Sequence, residues 1–172
     1  MGGASSLGDT LDEINRRLQV AEATLSIQRL KADYAQLVDS RFSLGKVVAP
    51  SVLEAVVSSI VELFTEDAVW DGGPVLGRAM GRDEIAARLS NPTLTFSRHL
   101  FVKPRIDVDL PRASATWDLL CPCKTPDGRS WWMCGYESDE YVLESDTWRH
   151  SKMTLTTVFM SRTGETFDRI LV

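Results

Sequence analysis

The chain has only two histidines, and one of them interrupts an otherwise apolar, strand-like segment. His99 lies within residues 94–102, a run that is otherwise typical of a buried strand. The unperturbed pKa of histidine is near neutral, so its imidazole takes up and releases protons under ordinary conditions. Asp39 is a second ionisable residue in an unusual place, at the end of a long apolar-patterned segment. If the fold joins the two, the chain carries a carboxylate–imidazole pair and is a candidate proton-abstracting enzyme.

The first forty residues carry the helix that would position Asp39. Thr10 and Glu13 fit a capping box, in which each side chain satisfies a backbone N–H at the start of a helix. Apolar residues then recur with the spacing of a helix face, first at Leu11, Ile14, Leu18, Ala21 and Leu25, and then at Ile27, Leu30, Tyr34 and Leu37. The change of stripe near Ser26 predicts a break or bend between a leading helix and a core-facing helix.

Two shorter helices are predicted downstream. Pro50 precedes a second capping box, from Ser51 to Glu54, which opens a helix that ends near Phe64. Residues 81–89 form a small helix, whose acidic first turn suits the positive end of the helix dipole.

Almost everything after the small helix is strand-like. A short strand is predicted at 68–70, and longer strands are predicted at 93–102, 105–110, 114–123, 130–143 and 147–160. Pro104 interrupts the first of these ladders and predicts a bulge. Helices followed by long antiparallel strands favour an α+β fold. We therefore predict a cone-shaped α+β barrel, in which a strongly bent antiparallel or mixed sheet wraps around the N-terminal helices and leaves a pocket at its open end.

The length of the chain, 172 residues, suits one domain with a substantial core. We predict a disordered leader over residues 1–9, a single α+β domain over residues 10–160 and a polar C-terminal tail over residues 161–172. The sequence shows no internal repeat and no low-complexity tract.

Charge and composition argue against several classes of partner. The formal net charge is −5 and no basic block is present, so we expect no affinity for nucleic acid or for an anionic membrane. No apolar run approaches the length of a membrane span. The first residues lack the basic start and the apolar stretch of a signal peptide. The cytoplasm is therefore the expected location.

The chain has three cysteines, Cys121, Cys123 and Cys134, and an odd number argues against a disulfide framework. The Cys-Pro-Cys spacing also differs from the Cys-x-x-Cys spacing that suits a tetrahedral metal ion. We predict no metal site and interpret the cysteines as small, buried strand residues.

Four stretches of the chain resemble the SnoaL-like branch of the nuclear transport factor two-like superfamily. Residues 27–39 resemble its first core helix, residues 63–70 its second-helix-to-strand motif and residues 77–85 its short helix, while 136–142 with 146–149 resemble its last hairpin. The resemblance covers about residues 25–160. It implies the cone-shaped fold, which hosts dehydratases, isomerases, cyclases, dehydrochlorinases and binding proteins.

The resemblance also implies a set of site residues. Scytalone dehydratase, bile-acid 7-alpha dehydratase and hexachlorocyclohexane dehydrochlorinase share an aspartate on the first core helix and a histidine on the strand after the small helix. Asp39 and His99 fall at those two positions. Tyr34, five residues before the aspartate, matches a tyrosine of the bile-acid enzyme, and Tyr136 matches a tyrosine on the penultimate strand. Five-residue spacing places Tyr34 and Asp39 about 140° apart on an ideal helix, so they converge only if both flank the pocket.

The last strand departs from the family pattern. Relatives often place an arginine there that faces the pocket, and Arg149 and Lys152 are the candidates for that role. His150 lies between them. By period-two alternation it lies on the face opposite Met153 and Leu155, so we predict that His150 faces outward or into a subunit interface.

The remaining pocket residues are predicted from the large side chains of the strands. The predicted substrate contacts are Tyr136, Trp70, Phe101, Met153 and Trp132. Trp131 and Trp132 lie on opposite faces of one strand, so an alternative places one in the core and the other at a subunit interface. A broad apolar sheet face that remains after the helices are covered indicates a homo-oligomer, a dimer or a trimer.

The function predicted from these features is a cofactor-free, dehydratase-like lyase or isomerase acting on a small cyclic or aromatic apolar molecule. His99 is the predicted base, Asp39 fixes its tautomer, and Tyr34 donates to a developing oxyanion. Two alternatives stay open. One is a non-catalytic ligand-binding or dimerisation module of the same fold, and the other is a small accessory subunit resembling that of ring-hydroxylating dioxygenases.

Overall fold

The helix that carries Asp39 is one continuous element. The structure is a computed structural model that describes residues 7–163. In it α1 (Leu7–Ser40) runs for 34 residues. The break predicted near Ser26 is wrong, because the helix continues through that residue and the change of apolar stripe marks a change of surroundings. The helix is exposed on every side before Val20, and its first buried residue is Ala23.

The start of α1 corrects the predicted N-terminal boundary. Because the helix begins at Leu7, residues 7–9 are helical and Thr10 lies inside the helix instead of capping it. Residues 1–6 of the predicted leader lie outside the described residues.

The other helices are α2 (Pro50–Val61), α3 (Gly73–Leu76) and α4 (Gly81–Leu89). The bounds of α4 are those predicted. The N-cap of α2 is Ala49, which makes no side-chain hydrogen bond to the helix. The capping box predicted at Ser51 is therefore wrong, because Pro50 already occupies the first turn, where its fixed φ suits the helix.

The strands are β1 (Phe42–Ser43), β2 (Lys46–Val47), β3 (Phe64–Asp71), β4 (Arg78–Met80), β5 (Phe96–Ser97), β6 (Leu100–Asp109), β7 (Arg112–Lys124), β8 (Ser130–Glu144) and β9 (Thr147–Arg162). β1 and β2 form a small hairpin. The others form one sheet in the order β4-β3-β9-β8-β7-β5, in which β6 also pairs with β7. β3 and β9 are parallel and the remaining pairs are antiparallel. This open, mixed sheet around the helices confirms the cone-shaped α+β fold.

The ladder that carries His99 is broken earlier than predicted. β5 ends at Ser97 and β6 begins at Leu100, so His99 lies outside both strands and its backbone N–H is free to bind a side chain. The bulge predicted at Pro104 is confirmed by the register shift between Val102 and Arg105.

The core lies between the inner face of the sheet and the helices. One buried cluster joins α1, α2 and α4 to β3, and its largest members include Tyr34, Ile60, Phe64 and Ile85. A second cluster packs the middle of α1 against Trp117, Tyr141 and Trp148 of the long strands. Among residues 7–163 no helix is long and apolar enough to cross a membrane. β9 extends to Arg162, so the predicted tail is strand at its first two residues, and residues 164–172 lie outside the described part.

Candidate active site

Asp39 and His99 form a hydrogen-bonded pair. Nδ1 of His99 lies 2.7 Å from Oδ1 of Asp39. The same carboxylate accepts hydrogen bonds from the Ser97 hydroxyl at 2.9 Å and from the backbone N–H of His99 at 2.8 Å. Three donors therefore fix the carboxylate, which in turn selects the His99 tautomer that is protonated on Nδ1 and leaves Nε2 as the acceptor.

The surroundings of His99 change its protonation. Burial alone disfavours the imidazolium, but the hydrogen bond to Asp39 and the sulfur of Cys121 outweigh it, and the pKa of His99 rises to about 10. His99 is therefore mainly an imidazolium at neutral pH. The neutral, proton-accepting form gains population as the pH rises.

Cys121 is a contributor that the sequence prediction missed. The sequence analysis predicted only that Cys121 is a small, buried strand residue. The structure confirms that its side chain is buried on the inner face of β7, as that of Cys123 is. Its sulfur nevertheless acts on the His99 imidazole. The alternation of Leu119 and Cys121 on one face of β7 is the available signal, because Leu119 pairs across the sheet with Phe101, two residues beyond His99. Cys134 is half-buried, and all three cysteines are unpaired.

A cavity of about 640 Å³ opens at the pair. It lies between α1 and the segment that leads into β6, and this volume is in the range of small-molecule sites. The lining residues are Gln28, Lys31, Ala32, Ala35, Gln36, Asp39, Arg98, His99, Leu100, Phe101, Val102 and Trp117. Phe101 stacks on the His99 ring with the ring centroids 5.9 Å apart and the planes 25° apart. The cavity thus offers flat apolar surface beside a titratable ring.

Only one of the five predicted pocket residues, Phe101, lines this cavity. Met153 is buried in the core at 1% exposure, and Trp70 donates a hydrogen bond to another core side chain. The predictions for Trp132 and Tyr136 are wrong. Alternation along β8 points both away from the helices, and they are 37% and 41% exposed on the outer face of the sheet.

Tyr34 is buried in the core and is not among the cavity-lining residues. Its hydroxyl accepts a hydrogen bond of 3.3 Å from Nε1 of Trp70, and its ring packs against Phe64 and His150. Burial, followed by the negative charge of Glu137, raises the pKa of Tyr34. Its assistance to the base stays a prediction.

Lys31 is a cavity-lining residue that sequence reasoning missed. Its ammonium is buried, donates to Asp139 at 2.7 Å and to Glu137, and lies 4.0 Å from the centroid of the Phe101 ring. Burial alone lowers the pKa of Lys31, but the two carboxylates outweigh it and raise the value. A lysine four residues after Ile27 on the core-facing stripe was the available signal.

The carboxylates that hold Lys31 belong to a larger buried network. The Tyr141 hydroxyl donates to Asp139 at 2.8 Å and accepts a hydrogen bond from Nε1 of Trp117 at 3.1 Å. Burial and the negative charge of Glu137 raise the pKa of Asp139 to about 6, although Lys31 opposes them. Glu137 and Asp139 are two residues apart on β8, so both point into the interior.

His150 lies in the core, and the prediction that it faces outward is wrong. The side chain is fully buried among Tyr34, Phe64 and Tyr141. The physical reason is a register shift in the pairing of β8 with β9: Glu140 pairs with Lys152 whereas Tyr141 pairs with His150. One extra residue of β9 reverses the alternation there, so that His150 and Met153 both point inward.

The chemical state of His150 differs from that of His99. Neither ring nitrogen of His150 has a hydrogen-bond partner among the described residues. Burial, followed by the positive charge of Lys31, lowers its pKa well below the ordinary value. His150 is therefore a neutral core residue at neutral pH.

The basic residues of the last strand do not reach the cavity. Arg149 donates to the backbone carbonyl of Glu62 and lies near the carboxylate of Glu144. Lys152 pairs with Glu140 at 3.2 Å on the outer face. Across the described part of the chain, no group of three or more histidine, cysteine, aspartate or glutamate side chains is arranged to hold a metal ion.

The helices and the open mixed sheet define a cone-shaped α+β protein with the nuclear transport factor two-like fold. A family model described as the SnoaL-like domain matches residues 54–154, more than half of the sequence. The chain therefore belongs to the SnoaL-like domain family. No curated protein sequence matches it significantly.

Several solved structures share the fold. Hexachlorocyclohexane dehydrochlorinase LinA-type3 from Novosphingobium barchaimii LL02 is 18% identical, with a TM-score of 0.71 over 91% of this chain and 98% of that one. A scytalone dehydratase-like protein from Novosphingobium aromaticivorans DSM 12444 is 20% identical, with a TM-score of 0.68 over 82% and 87%. An NTF2-like protein from Novosphingobium aromaticivorans is 19% identical, with a TM-score of 0.69 over 91% and 92%. At these identities the similarity establishes the fold alone.

Proposed function

We propose that the protein is a cofactor-free lyase or isomerase that removes a proton from a small cyclic or aromatic substrate with the Asp39–His99 dyad. The observation that carries the proposal is the 2.7 Å contact between the two side chains, at the edge of a cavity of small-molecule size. Membership of the SnoaL-like family and structural similarity to a dehydrochlorinase and a dehydratase-like protein support a lyase-type reaction.

The proposed reaction starts from the neutral imidazole. Nε2 of His99 takes a proton from a carbon next to an electron-withdrawing group, and the C–H electron pair moves into the substrate. It forms an enolate, or it forms a double bond as a leaving group departs. Asp39 keeps the proton on Nδ1 and stabilises the imidazolium that results. In an isomerisation His99 returns its proton to another carbon, and in an elimination it gives the proton to the leaving group or to water.

The cavity supplies the recognition that this proposal needs. Phe101 and Trp117 present aromatic surface, and Ala32 and Ala35 leave room beside α1 for a flat ring. Apolar contact of this kind accounts for much of the affinity of small ligands. The substrate class is therefore a compact molecule with an apolar body and an acidic C–H bond.

Proton abstraction is testable before the natural substrate is known. A panel of small cyclic ketones in D2O reports C–H exchange by NMR, and halogenated and hydroxylated ring compounds report elimination. We expect exchange or elimination with part of the panel, and a loss of roughly a hundredfold or more in His99→Ala. Asp39→Asn is the second variant, and it should also lower the rate. Its matched control is Asp33→Asn, because Asp33 is an exposed aspartate on the same helix.

Three results would contradict the proposal. Undiminished turnover in His99→Ala would remove the base. Binding of panel compounds without any turnover would favour the ligand-binding module, and stable copurification with a large iron-containing subunit would favour the accessory-subunit alternative. The predicted homo-oligomer stays a prediction for the outer sheet face, where Leu120, Trp132 and Tyr136 are exposed.

A further inference from the structure

The first part of α1 extends beyond the domain. Every residue from 7 to 19 is exposed, and the first buried residue of the helix is Ala23. At a rise of 1.5 Å per residue, residues 7–22 span roughly 24 Å of helix. An isolated helix of this length is marginal in water, because most helices in proteins are stabilised by packing of one face. This segment therefore lacks the packing that the rest of α1 has.

The exposed apolar residues of this segment follow a strict heptad. Spacings of four and three residues alternate along Leu7, Leu11, Ile14, Leu18, Ala21 and Leu25. This is the a/d pattern of a coiled-coil seam, with a mean period of 3.5 residues. The leucines and the isoleucine are between 52% and 78% exposed. The buried stripe of α1 is a different one, which begins at Ala23 and Ile27, so the domain does not use the heptad residues for its own core.

We propose that this heptad stripe packs against the same stripe of a second copy of the chain, as a parallel two-stranded coiled coil. The spacing places Leu11, Leu18 and Leu25 at a positions, and it places Arg17 at g and Glu22 at e. In a parallel pair each g residue lies beside the e residue five positions further along the other helix. Arg17 of each copy therefore meets Glu22 of the other, and two ion pairs flank the seam.

The same charges disfavour the antiparallel arrangement. An antiparallel alignment that matches every a residue with a d residue pairs Leu18 with Ile14 and Leu11 with Ala21. That alignment places Arg17 of one copy beside Arg17 of the other, and like charges in contact are unfavourable. Charge complementarity thus selects both the partner, which is a second copy, and the direction.

The seam ends beside the dyad cavity. Gln28 and Ala32 follow Leu25 by three and seven residues, and both line the cavity. Parallel pairing therefore brings the cavities of the two copies to the same end of the paired helices. No residue of the dyad takes part in the seam, so the inference is independent of the proposed reaction.

The mass of the full chain as a function of concentration tests the inference. The seam has fewer than three heptads, so we expect a reversible dimer in sedimentation experiments over about 1 to 100 μM. Leu18→Lys with Leu25→Lys should weaken association at least tenfold, because it places charges in the seam. Gln19→Lys with Ser26→Lys is the matched control: it adds the same charge one residue along, at exposed positions outside the seam.

A charge exchange tests the direction. Arg17→Glu and Glu22→Arg should each weaken the dimer, because each places like charges across a parallel seam, and the two together should restore it. Circular dichroism on each variant confirms that helix content is unchanged. Arg17→Gln should also weaken a parallel dimer, because it removes the ion pairs with Glu22. An Arg17→Gln protein that associates more tightly would show that the helices are antiparallel, with the Arg17–Arg17 repulsion relieved, and would overturn the proposal.

Three other results would also overturn it. One is a monomer at every concentration, including a monomer that instead binds vesicles of phosphatidylcholine and phosphatidylserine. Another is a dimer that Leu18→Lys with Leu25→Lys leaves intact while Trp132→Ala with Tyr136→Ala dissociates it, because the outer sheet face would then be the interface. The third is an assembly larger than a dimer that persists in Trp132→Ala with Tyr136→Ala, in which the outer sheet face is altered.

Discussion

The two histidines of this chain each lie near an aspartate, yet only one of them forms a pair. His99 is 2.7 Å from Asp39, whereas Nδ1 of His150 is 3.9 Å from the nearest oxygen of Asp139, beyond hydrogen-bond distance. That oxygen of Asp139 already accepts hydrogen bonds from Lys31 and a tyrosine hydroxyl. The difference shows that proximity to a carboxylate is insufficient when stronger donors already hold it.

The same difference sets the charge of the two rings. Burial lowers the pKa of both imidazoles. At His99 the hydrogen bond to Asp39, together with the sulfur of Cys121, reverses the effect, and at His150 the positive charge of Lys31 adds to it. His99 is therefore an imidazolium at neutral pH and His150 is not. Burial is the largest cause at His150 but is outweighed at His99, and the ring with the raised pKa is the one that has its own carboxylate.

Removal of the carboxylate from the His99 pair is expected to have the largest effect. Asp39→Asn replaces the acceptor by an amide, so the tautomer is no longer selected and the imidazolium loses its partner. We expect the pKa of His99 to fall. At pH 10 and above, where the ring is largely neutral in the native protein as well, the rate of proton abstraction should drop by roughly 10⁴-fold, as for the equivalent change in a catalytic triad. With two histidines in the chain, NMR resolves the ring signals of each, and the titration of His99 gives the pKa directly.

The titration of His150 is the internal control for that experiment. It should be unchanged in Asp39→Asn, because His150 does not contact Asp39. If the pKa of His99 stays raised in Asp39→Asn, Cys121 and not Asp39 is the cause of the raised pKa. The difference between the two histidines would then not be due to the carboxylate.

Removal of the charge beside His150 is expected to have the next largest effect. Lys31→Met leaves Glu137 and Asp139 buried without a cation, and breaking a buried pair on one side costs about 3–5 kcal/mol. The free energy of unfolding of the variant, measured by urea denaturation, should be lower than that of the native protein by that amount. The pKa of His150 should rise toward its ordinary value, because Lys31 is one of the two causes that lower it.

A neutral version of the same network separates the two effects. Glu137→Gln and Asp139→Asn, added to Lys31→Met, remove the uncompensated charges and should recover part of the lost stability. The pKa of His150 should stay raised relative to the native protein, since Lys31 is still absent. A pKa that returns to the native value would show that Lys31 acts on His150 through packing only.

The pH dependence of stability gives a smaller effect with opposite signs at the two rings. The pKa of His99 is raised above its unfolded value of about 6.5, so its contribution is complete below pH 6.5 and is lost as the pH rises toward about 10. The pKa of His150 is lowered, so its contribution is present above pH 6.5 and is lost as the pH falls. The difference in unfolding free energy between the native protein and His99→Gln should therefore shrink from pH 6 to pH 10. A constant difference would contradict the raised pKa of His99.

Sequence patterns and the family resemblance together predicted that Asp39 and His99 meet, and the structure places the two side chains in contact. Asp39 and His99 are 60 positions apart, and the pairing followed from a helix that ends at one and a small helix and strand that precede the other, together with the family resemblance. The geometry that makes the contact could not be predicted. It depends on the gap between β5 and β6, where the backbone N–H of His99 leaves the ladder and binds the carboxylate.

The sequence prediction failed where the periodicity of one element was assumed to be uniform. One register shift in the pairing of β8 with β9 places His150 in the core and not on the predicted outer face. The local residue types do not predict such a bulge. The opposite error occurred in α1, where a change of stripe was taken for an interruption in a helix that continues through Ser26. Lys31 was hidden for a third reason: its partners lie more than a hundred positions away on β8.

Tyr34→Phe provides the smallest expected effect and bears on which histidine the tyrosine serves. The hydroxyl accepts a hydrogen bond from Trp70, and the ring packs on His150 and not on His99. Removal of the hydroxyl should cost about 1 kcal/mol of stability, measured by urea unfolding. If Tyr34 belongs only to the core around His150, the rate of proton abstraction should change by less than about threefold. A much larger loss of rate at unchanged stability would instead give Tyr34 the catalytic role that the family resemblance implies. The side chains around His150 would then also contribute to the reaction at His99.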